Sequence, residues 1–247
     1  MLEVTALTGL PEIETGADLG RLMVQSAPDL TGKDVLVVAH KVVSKAEGRV
    51  RRLAAVTPGE RAESLAEQHG KDPRAVQVVL DETVELVRAE RGVLICRTRH
   101  GFVCANAGVD ASNSADPDTL ILLPEDPDAS ARALRTRIRE VTGISPAVVI
   151  TDSFGRAWRH GQTDVAIGCA GLAPLEDWRG RRDASGLELR ATWIAVADQV
   201  AGAADLARTK DGRQPAVLVR GLEHLIEEDD GPGAAAILRS RAEDLFP

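Results

Sequence analysis

The sequence has 247 residues, enough for one or two domains and for a large core that needs no disulfide bonds. Hydrophobic residues make up 44% of it and aromatic residues only 2%, so the core must be built from aliphatic side chains. The net charge of −8 disfavours nucleic acid as a partner, and the mixed composition excludes disordered, collagen-like and coiled-coil chains.

The cysteine pattern and the lack of long apolar runs indicate the compartment. Cys96, Cys104 and Cys169 show no CxxC spacing, and we expect them to be reduced and buried. No stretch approaches the roughly 18 apolar residues of a membrane span, and the first residues lack the basic and apolar regions of a signal peptide. We therefore expect a cytoplasmic protein with no membrane partner.

Taken in chain order, the first half of the sequence predicts strands. The β-branched run VLVVAHKVV at 35–43 is typical of a buried strand. A second apolar run, VLICRT at 93–98, follows Arg91 and Gly92. The residues RHG at 99–101 then predict a hairpin turn into FVCANAGV at 102–109.

The segment from Pro127 predicts an amphipathic helix. Asp126 is a suitable N-cap, proline suits the first helical position, and Gly143 suits the end. Between them, apolar residues recur at spacings of three and four, at Ala131, Leu134, Ile138 and Val141.

The remaining elements mix strands and helices without a βαβ rhythm, which favours an α+β fold in a single unit over 1–247. We predict a strand over 146–152 whose polar end is Asp152, a strand at 188–199 that passes into a helix near 198–206, a strand at 215–221, an exposed loop at 227–233 and a terminal helix over 231–246.

The common signatures GxxxxGK[ST], GxGxxG, HExxH and GxSxG are absent, but polar clusters end several apolar runs. In TGLPE at 8–12, a Gly–Pro turn could present backbone N–H groups to an anion or a base edge, or be only a turn. In HKVVSKAEG at 40–48, the lysines suit phosphate, and the alternative is a solvated strand end.

Two further clusters contain carboxylates. In CANAGVDASN at 104–113, Asp110 and Asn113 could serve a metal and a nucleotide, and Asx turns are the alternative. In TDSFGRAWRHGQTD at 151–164, a carboxylate and a hydroxyl follow a predicted strand, and the arginines offer forked donors to phosphate or carboxylate. Carboxylates near basic side chains fit a divalent cation on a polyphosphate, which favours phosphoryl transfer.

Taken together, five strings resemble the coenzyme F420-0:L-glutamate ligase family, the GTP-dependent deazaflavin γ-glutamyl ligases. They are TGLPEI, KVVSKAEG, GFVCANAGVDASN, VVITDSFGRAWRHGQTDVAIG and the tail VADQ…AADL…PAVLVRG. The resemblance extends from about Thr5 to Leu222. It implies an α+β fold of mixed sheets with flanking helices, in two intimately associated subdomains. It also implies an intertwined homodimer with its active site at the subunit interface.

The resemblance also implies residue roles. The guanine nucleotide would contact Gly9, Leu10, Pro11, Glu12, His40, Lys45 and Asn113. A divalent cation, Mg²⁺ or Mn²⁺, would bind Asp110, Asp152 and Ser153, and K⁺ is a further candidate ion.

Four positions depart from the family's usual residues. His40 replaces a Ser, Ser153 a Thr and His160 an Asn. Lys210 stands where archaeal members place an acidic metal ligand, which puts a second metal in doubt.

The implied reaction joins L-glutamate to the lactyl carboxylate of F420-0 through an acyl phosphate, with GTP as co-substrate and further γ-glutamyl additions as an extension. From charge alone, we predict that Arg156 and Arg159 act in catalysis by gripping the anionic substrates, and Trp158 is a candidate for stacking on the deazaflavin ring. His40 and His160 keep open a paralogous GTP-dependent ligase with a different acceptor acid. A guanine-nucleotide-binding protein without catalysis is a third alternative.

Overall fold

The structure, a computed structural model, describes residues 1–112, 116–209 and 211–244. Its strands are β1 (Glu3–Ala6), β2 (Val35–Ala39), β3 (Val50–Arg52), β4 (Thr83–Glu90), β5 (Val93–Thr98), β6 (Val103–Ala105), β7 (Thr119–Ile121), β8 (Ala147–Arg156), β9 (Arg159–Ala170), β10 (Glu176–Asp177), β11 (Trp193–Ile194) and β12 (Ala216–Arg220). Its α-helices are α1 (Leu19–Ser26), α2 (His40–Ala46), α3 (Glu60–His69), α4 (Pro73–Asp81), α5 (Pro127–Thr142) and α6 (Val196–Ala207). This mixture confirms the predicted α+β class.

The central element of the described chain is a five-stranded mixed sheet in the order β1-β12-β2-β8-β9. β2 and β8 are parallel, and the other neighbouring pairs are antiparallel. β2 ends at Ala39, which pairs with Thr151, so β8 and β9 continue beyond it as a two-stranded hairpin. The polar cluster at 151–164 lies on this extension.

Both faces of the central sheet are buried, which explains why its strands are continuous apolar runs. Leu36 and Val38 of β2 belong to a core shared with α1 and α5, whereas Val35 and Val37 belong to a second core shared with α6. Because successive side chains of a strand alternate between faces, one run of valines and leucines serves both cores.

A smaller group of elements carries the cluster at 104–113. β4, β5 and β6 form an antiparallel sheet in that order within the described residues, and it packs on α3 and α4 around Leu94 and Cys96. β3 pairs with β7 alongside. The predicted turn at 99–101 is confirmed, because Cys96 and Cys104 lie opposite each other in β5 and β6.

The predicted helix after Asp126 is confirmed as α5. The Asp126 side chain accepts a hydrogen bond from the N–H of Ala129 at 2.9 Å, and Gly143 follows the helix with a φ of 76°. Ile138 is buried as predicted, whereas Val141, assigned to the same face, is exposed in the last turn.

The predicted strand at 35–43 is wrong after Ala39, where the chain enters α2. Val42 and Val43 are both buried from this helix in the core shared with α1 and α5, whereas a strand would have pointed them to opposite faces of the sheet. A short β-branched run therefore satisfies both conformations, and only the packing of the whole chain selects one.

Two predicted element boundaries also differ. β8 does not end at Asp152 but continues to Arg156, because β9 supplies backbone partners along the whole extension. In the predicted strand at 188–199, Trp193–Ile194 forms β11 and Glu188 makes an isolated bridge to Arg182, before α6 begins. The predicted helix near 198–206 and the strand at 215–221 are confirmed as α6 and β12.

The predicted terminal helix over 231–246 is wrong within the described residues. The chain forms short 3₁₀ turns at 234–237 and 241–243, and Gly233 has a φ of 83°, which breaks a helical path. The loop at 227–233 is confirmed as a loop but is tied to the core, since the buried Arg135 donates to the carbonyl oxygens of Glu227 and Asp229.

The cysteines are free and buried, as predicted. Burial raises the pKa of the Cys104 and Cys169 thiols to about 12. Within the described residues, no helix combines the length and the apolar character needed to cross a membrane.

Candidate functional site

The start of α2 is buried where β2 leaves the central sheet. His40, its first residue, is only 1% exposed. Its Nδ1 lies 3.3 Å from Oγ of Ser44, and its Nε2 lies 3.3 Å from Oδ1 of Asp152. This Nε2 makes no hydrogen bond to the described residues, so the contact with Asp152 is close but poorly aligned.

The next residue of α2, Lys41, reaches the loop after β6. Its Nζ lies 2.7 Å from Oδ2 of Asp110 and 2.7 Å from Oγ of Ser112. Burial alone would raise the pKa of Asp110, but the hydrogen bonds from Lys41 and from the Ser112 N–H outweigh it and hold this pKa below its ordinary value. Asp110 is therefore an anion at neutral pH.

Asp110 and Asp152 thus contact two consecutive residues, Lys41 and His40, at the start of α2. Asp110 follows β6 and is bridged to Ile121 of β7, whereas Asp152 lies in β8 of the central sheet. Two carboxylates beside a lysine and a histidine offer hard oxygen atoms and local positive charge in one place. This convergence is the main feature of the candidate site.

The turn at 9–12 lies near the other end of α2. Buried Leu7 and Ile13 anchor it on both sides, and Gly9 has a φ of 80° with open space around it. Lys45 donates a hydrogen bond to Oε1 of Glu12. The structure therefore brings together two predicted nucleotide contacts that are far apart in the sequence.

Ser153 belongs to a separate buried network. Its Oγ donates to Oδ1 of Asp164 at 2.6 Å, directly across the β8–β9 ladder. Thr151 Oγ1 donates to Oδ2 of the same carboxylate at 2.8 Å, and Arg208 forms an ion pair with it. Asp164 is almost fully buried, so this pairing is what allows the carboxylate to remain charged there.

Asp152 and Ser153 face opposite sides of β8. Successive side chains of a strand alternate, and the contacts agree: Asp152 meets His40, whereas Ser153 meets Asp164. The predicted metal ligands are therefore not all brought together. Asp110 and Asp152 share the end of α2, and the role of Ser153 as a ligand remains a prediction.

Arg156 and Arg159 are exposed at the end of the β8–β9 hairpin. Nη2 of Arg156 donates to the backbone oxygen of His160 at 2.9 Å. In the described part of the chain, the hydrogen bonds and ion pairs of Asp110 and Asp152 include neither arginine. These arginines lie on the same hairpin as Asp152, but the structure does not place them against it.

The donor set can be tested against a divalent cation. Among the described residues, no group of three His, Cys, Asp or Glu side chains could enclose a metal by itself. Mg²⁺, however, is usually bound through one or two carboxylates together with substrate phosphates and water. Asp110 and Asp152 fit that arrangement, in which the nucleotide completes the coordination.

Two residues of interest lie outside the described residues. They are Asn113, the predicted nucleotide contact, and Lys210, the position of the expected acidic ligand.

Strained backbone adjoins Asp110. Asn106 and Ala107 have φ values of 51° and 53°, and Gly108 follows at 72°. Such conformations in residues other than glycine persist only where the surrounding structure enforces them, and they cluster at functional sites. A cavity of about 330 Å³ borders this segment and is lined in part by Asn106 and Asp110.

Sequence reasoning did not assign Lys41, Asp164 or Arg208 to the site. Lys41 and Asp164 lie inside polar clusters that were recognised. A regular two-residue turn at 157–158 would place Asp164 opposite Thr151, and the register shift between Gly155 and Arg156 places it opposite Ser153 instead. No local signal identifies Arg208, because Thr151 and Asp164, its side-chain partners in this network, are more than 40 residues away along the chain.

A family model and several curated proteins match most of this chain. The family model described as F420-0:gamma-glutamyl ligase matches residues 9–221. That range contains every residue of the candidate site described in this subsection except the anchoring Leu7.

Curated relatives match almost the whole chain. A Methanopyrus kandleri protein named coenzyme F420:L-glutamate ligase is 48% identical over 95% of this chain and 93% of its own length. Proteins of the same name from Archaeoglobus fulgidus and Methanothermobacter thermautotrophicus are 43% and 40% identical, each over 99% of this chain and 96% and 98% of their own lengths.

Proposed function

Because the chain belongs to the F420-0:gamma-glutamyl ligase family, we propose that it is a GTP-dependent coenzyme F420:L-glutamate ligase. The observation that supports this most is the convergence of Asp110 and Asp152 on the start of α2. This arrangement suits a phosphorylated nucleotide and a cation better than it suits hydrolysis by a serine or cysteine nucleophile, since burial keeps the thiols of Cys104 and Cys169 protonated.

The proposed reaction activates a carboxylate before forming an amide. A lactyl carboxylate oxygen of F420-0 bonds to the γ-phosphorus of GTP, and the bond from that phosphorus to the β–γ bridging oxygen breaks, releasing GDP. The amine of L-glutamate then attacks the acyl carbon, loses a proton, and displaces inorganic phosphate as the carbon–oxygen bond breaks. The first step is needed because an unmodified carboxylate has no good leaving group.

A bound divalent cation would neutralise charge on the phosphates. Asp110 and Asp152 are the residues that would hold it. The family resemblance adds the Ser153 hydroxyl as a ligand. It would have to act from the opposite face of β8, where its O–H donates a hydrogen bond to Asp164. Lys41 balances the charge of Asp110 in this structure and would remain beside the phosphates.

The nucleotide would extend along α2. Gly9, Leu10, Pro11 and Glu12 would present backbone and side-chain groups near Lys45, and His40 would contact the nucleotide closer to the phosphates. The family resemblance adds Asn113 as a further nucleotide contact. The contact between Lys45 and Glu12 supports this path, because it joins the two segments. Arg156 and Arg159 would hold the anionic substrates from the exposed hairpin.

The homodimer implied by the family is part of the proposal. Exposed valines on β4, β5 and β6, namely Val84, Val93 and Val103, offer apolar surface for a second copy. Sedimentation or light scattering of the purified chain measures this directly, and a monomer at micromolar concentration would contradict it.

The central test is ligation in vitro. The purified chain is incubated with GTP, Mn²⁺, L-glutamate and F420-0, and the products are separated by chromatography and identified by mass spectrometry. We expect GDP, phosphate and F420-0 carrying one added glutamyl residue in equal amounts, with later additions visible as further mass steps. Reactions with ATP, without metal or with D-glutamate are the matched controls.

Other outcomes favour the alternatives. GTP turnover only when another carboxylic acid is supplied favours the paralogous ligase, for which the buried His40 beside Asp152 is the supporting feature. Binding of GTP with no turnover across a panel of acids favours a nucleotide-binding protein. Either result would overturn the proposed activity.

A further inference from the structure

The end of the β8–β9 hairpin carries an exposed tryptophan. The chain has only three tryptophans and no tyrosine, and Trp158 is 81% exposed, compared with 36% for Trp178 and 46% for Trp193. Burial in the core does not explain Trp158.

The backbone at Trp158 is also unfavourable for such a residue. Ala157 and Trp158 connect β8 to β9 after the last pair, Arg156 with Arg159. Trp158 has a φ of 60°, in the left-handed region that a turn of this kind normally fills with Gly or Asn. A bulky residue is disfavoured there, because its Cβ lies too close to the following carbonyl oxygen. Turn formation would thus be better served by glycine.

The order of groups along the hairpin suits an elongated anionic substrate. Asp152 lies in the stem, the two exposed arginines lie near the end, and Trp158 lies in the turn itself. At about 3.3 Å per residue, the turn lies up to roughly 20 Å from Asp152. F420-0 has the same order, from its reacting carboxylate through a phosphate to a planar aromatic ring.

We propose that Trp158 is the residue that binds the deazaflavin ring, by stacking on it while Arg156 and Arg159 pair with the phosphate of the side chain. This assignment rests on the proposed function. Aromatic side chains bind planar heterocycles by stacking on them, and the positive charges on both sides favour an anionic ligand. The exposed tryptophan and its strained turn are then features of substrate recognition.

The proposal predicts opposite effects on stability and on binding. Trp158→Gly relieves the left-handed strain and removes an exposed ring, so the melting temperature should stay the same or rise. The same change should weaken F420-0 binding by about tenfold or more, because the stacking partner is gone. Trp158→Phe keeps an aromatic face and should retain most of the affinity.

The experiment is a titration of F420-0, followed by the intrinsic fluorescence of its deazaflavin, into the full chain without GTP. Wild type, Trp158→Gly and Trp158→Phe are compared with Trp178→Phe and Trp193→Phe, which change the other exposed tryptophans and should bind like wild type. Melting curves of all five proteins show whether each is folded.

The outcomes separate this assignment from the proposed function. If wild type binds F420-0 and Trp158→Gly binds it equally well, the ring assignment is wrong while the ligase proposal stands. If wild type binds no F420-0, the proposed function fails and the ring assignment with it. If Trp158→Gly changes the oligomeric mass but not the affinity, the exposed ring serves contact between copies, and the assignment is again overturned.

Discussion

Asp110 and Asp152 contact neighbouring side chains at the start of α2. Oδ2 of Asp110 lies 2.7 Å from Nζ of Lys41, and Oδ1 of Asp152 lies 3.3 Å from Nε2 of the preceding residue, His40. A single helix end therefore contacts two carboxylates from distant parts of the chain, one in the segment between β6 and β7 and one in β8. The predictions below test what each contact contributes.

Asp152→Asn should abolish GTP-dependent ligation, with a loss of at least about a hundredfold in kcat/KM. The substitution removes one negative charge with little change in volume, so a cation held by Asp110 and Asp152 loses half of its protein ligands. The measurement is amide formation at saturating Mn²⁺, with circular dichroism to show that the fold is intact. Asp183→Asn, on the exposed loop after β10, is the control, and full activity of Asp152→Asn would remove the metal assignment.

Gly9→Ala should weaken GTP binding, because the predicted nucleotide turn needs its left-handed backbone. Gly16→Ala is a close control. Gly9 and Gly16 have similar φ values, 80° and 84°, and a Cβ added at either position would meet no other group within 4 Å. Both alanine variants should therefore lose about 1 kcal/mol of stability. Calorimetry with GTP should show an affinity loss for Gly9→Ala only, and equal affinities would contradict the role of this turn.

The ion pair between Lys41 and Asp110 should stabilise the fold in a pH-dependent way. The folded-state pKa of Asp110 is lowered, so its contribution is present above the unfolded pKa and is lost as pH falls through the folded value. A double-mutant cycle with Lys41→Met and Asp110→Asn should give a coupling of about 1 kcal/mol at pH 7. Urea unfolding should show the same coupling at about pH 5 and none well below about pH 4. A coupling that already disappears at pH 5 would contradict the lowered pKa.

Arg208→Gln should destabilise the fold strongly, by about 3 kcal/mol or more, because it leaves the carboxylate of Asp164 buried without its cation. Arg241→Gln is the matched control. Its guanidinium is largely exposed and lies 3.4 Å from Glu85, so its loss should cost at most about 1 kcal/mol. Urea unfolding of both variants compares the two costs, and similar values would show that the buried pair is not a major support of the hairpin.

The sequence predicted the elements whose signals are local. The helix after Asp126 has a cap, a proline and a terminal glycine, and each of these acts within one turn. The hairpin of β5 and β6 follows from a short polar turn between two apolar runs. The polar clusters were also recognisable, because charged and small residues at the ends of apolar runs stand out from the core pattern.

Other features of the fold and of the candidate site depend on contacts between segments that are distant in the sequence. The sequence alone determined an aliphatic, mixed α+β chain, the family resemblance and the clusters that contain Asp110 and Asp152. Only the tertiary structure decided that the run after Ala39 turns into a helix, that Ser153 faces away from Asp152, and that Arg208 neutralises Asp164. The physical reason is that a β-branched run satisfies either conformation locally, whereas the burial of a charge is permitted only by a partner that the folded chain brings to it.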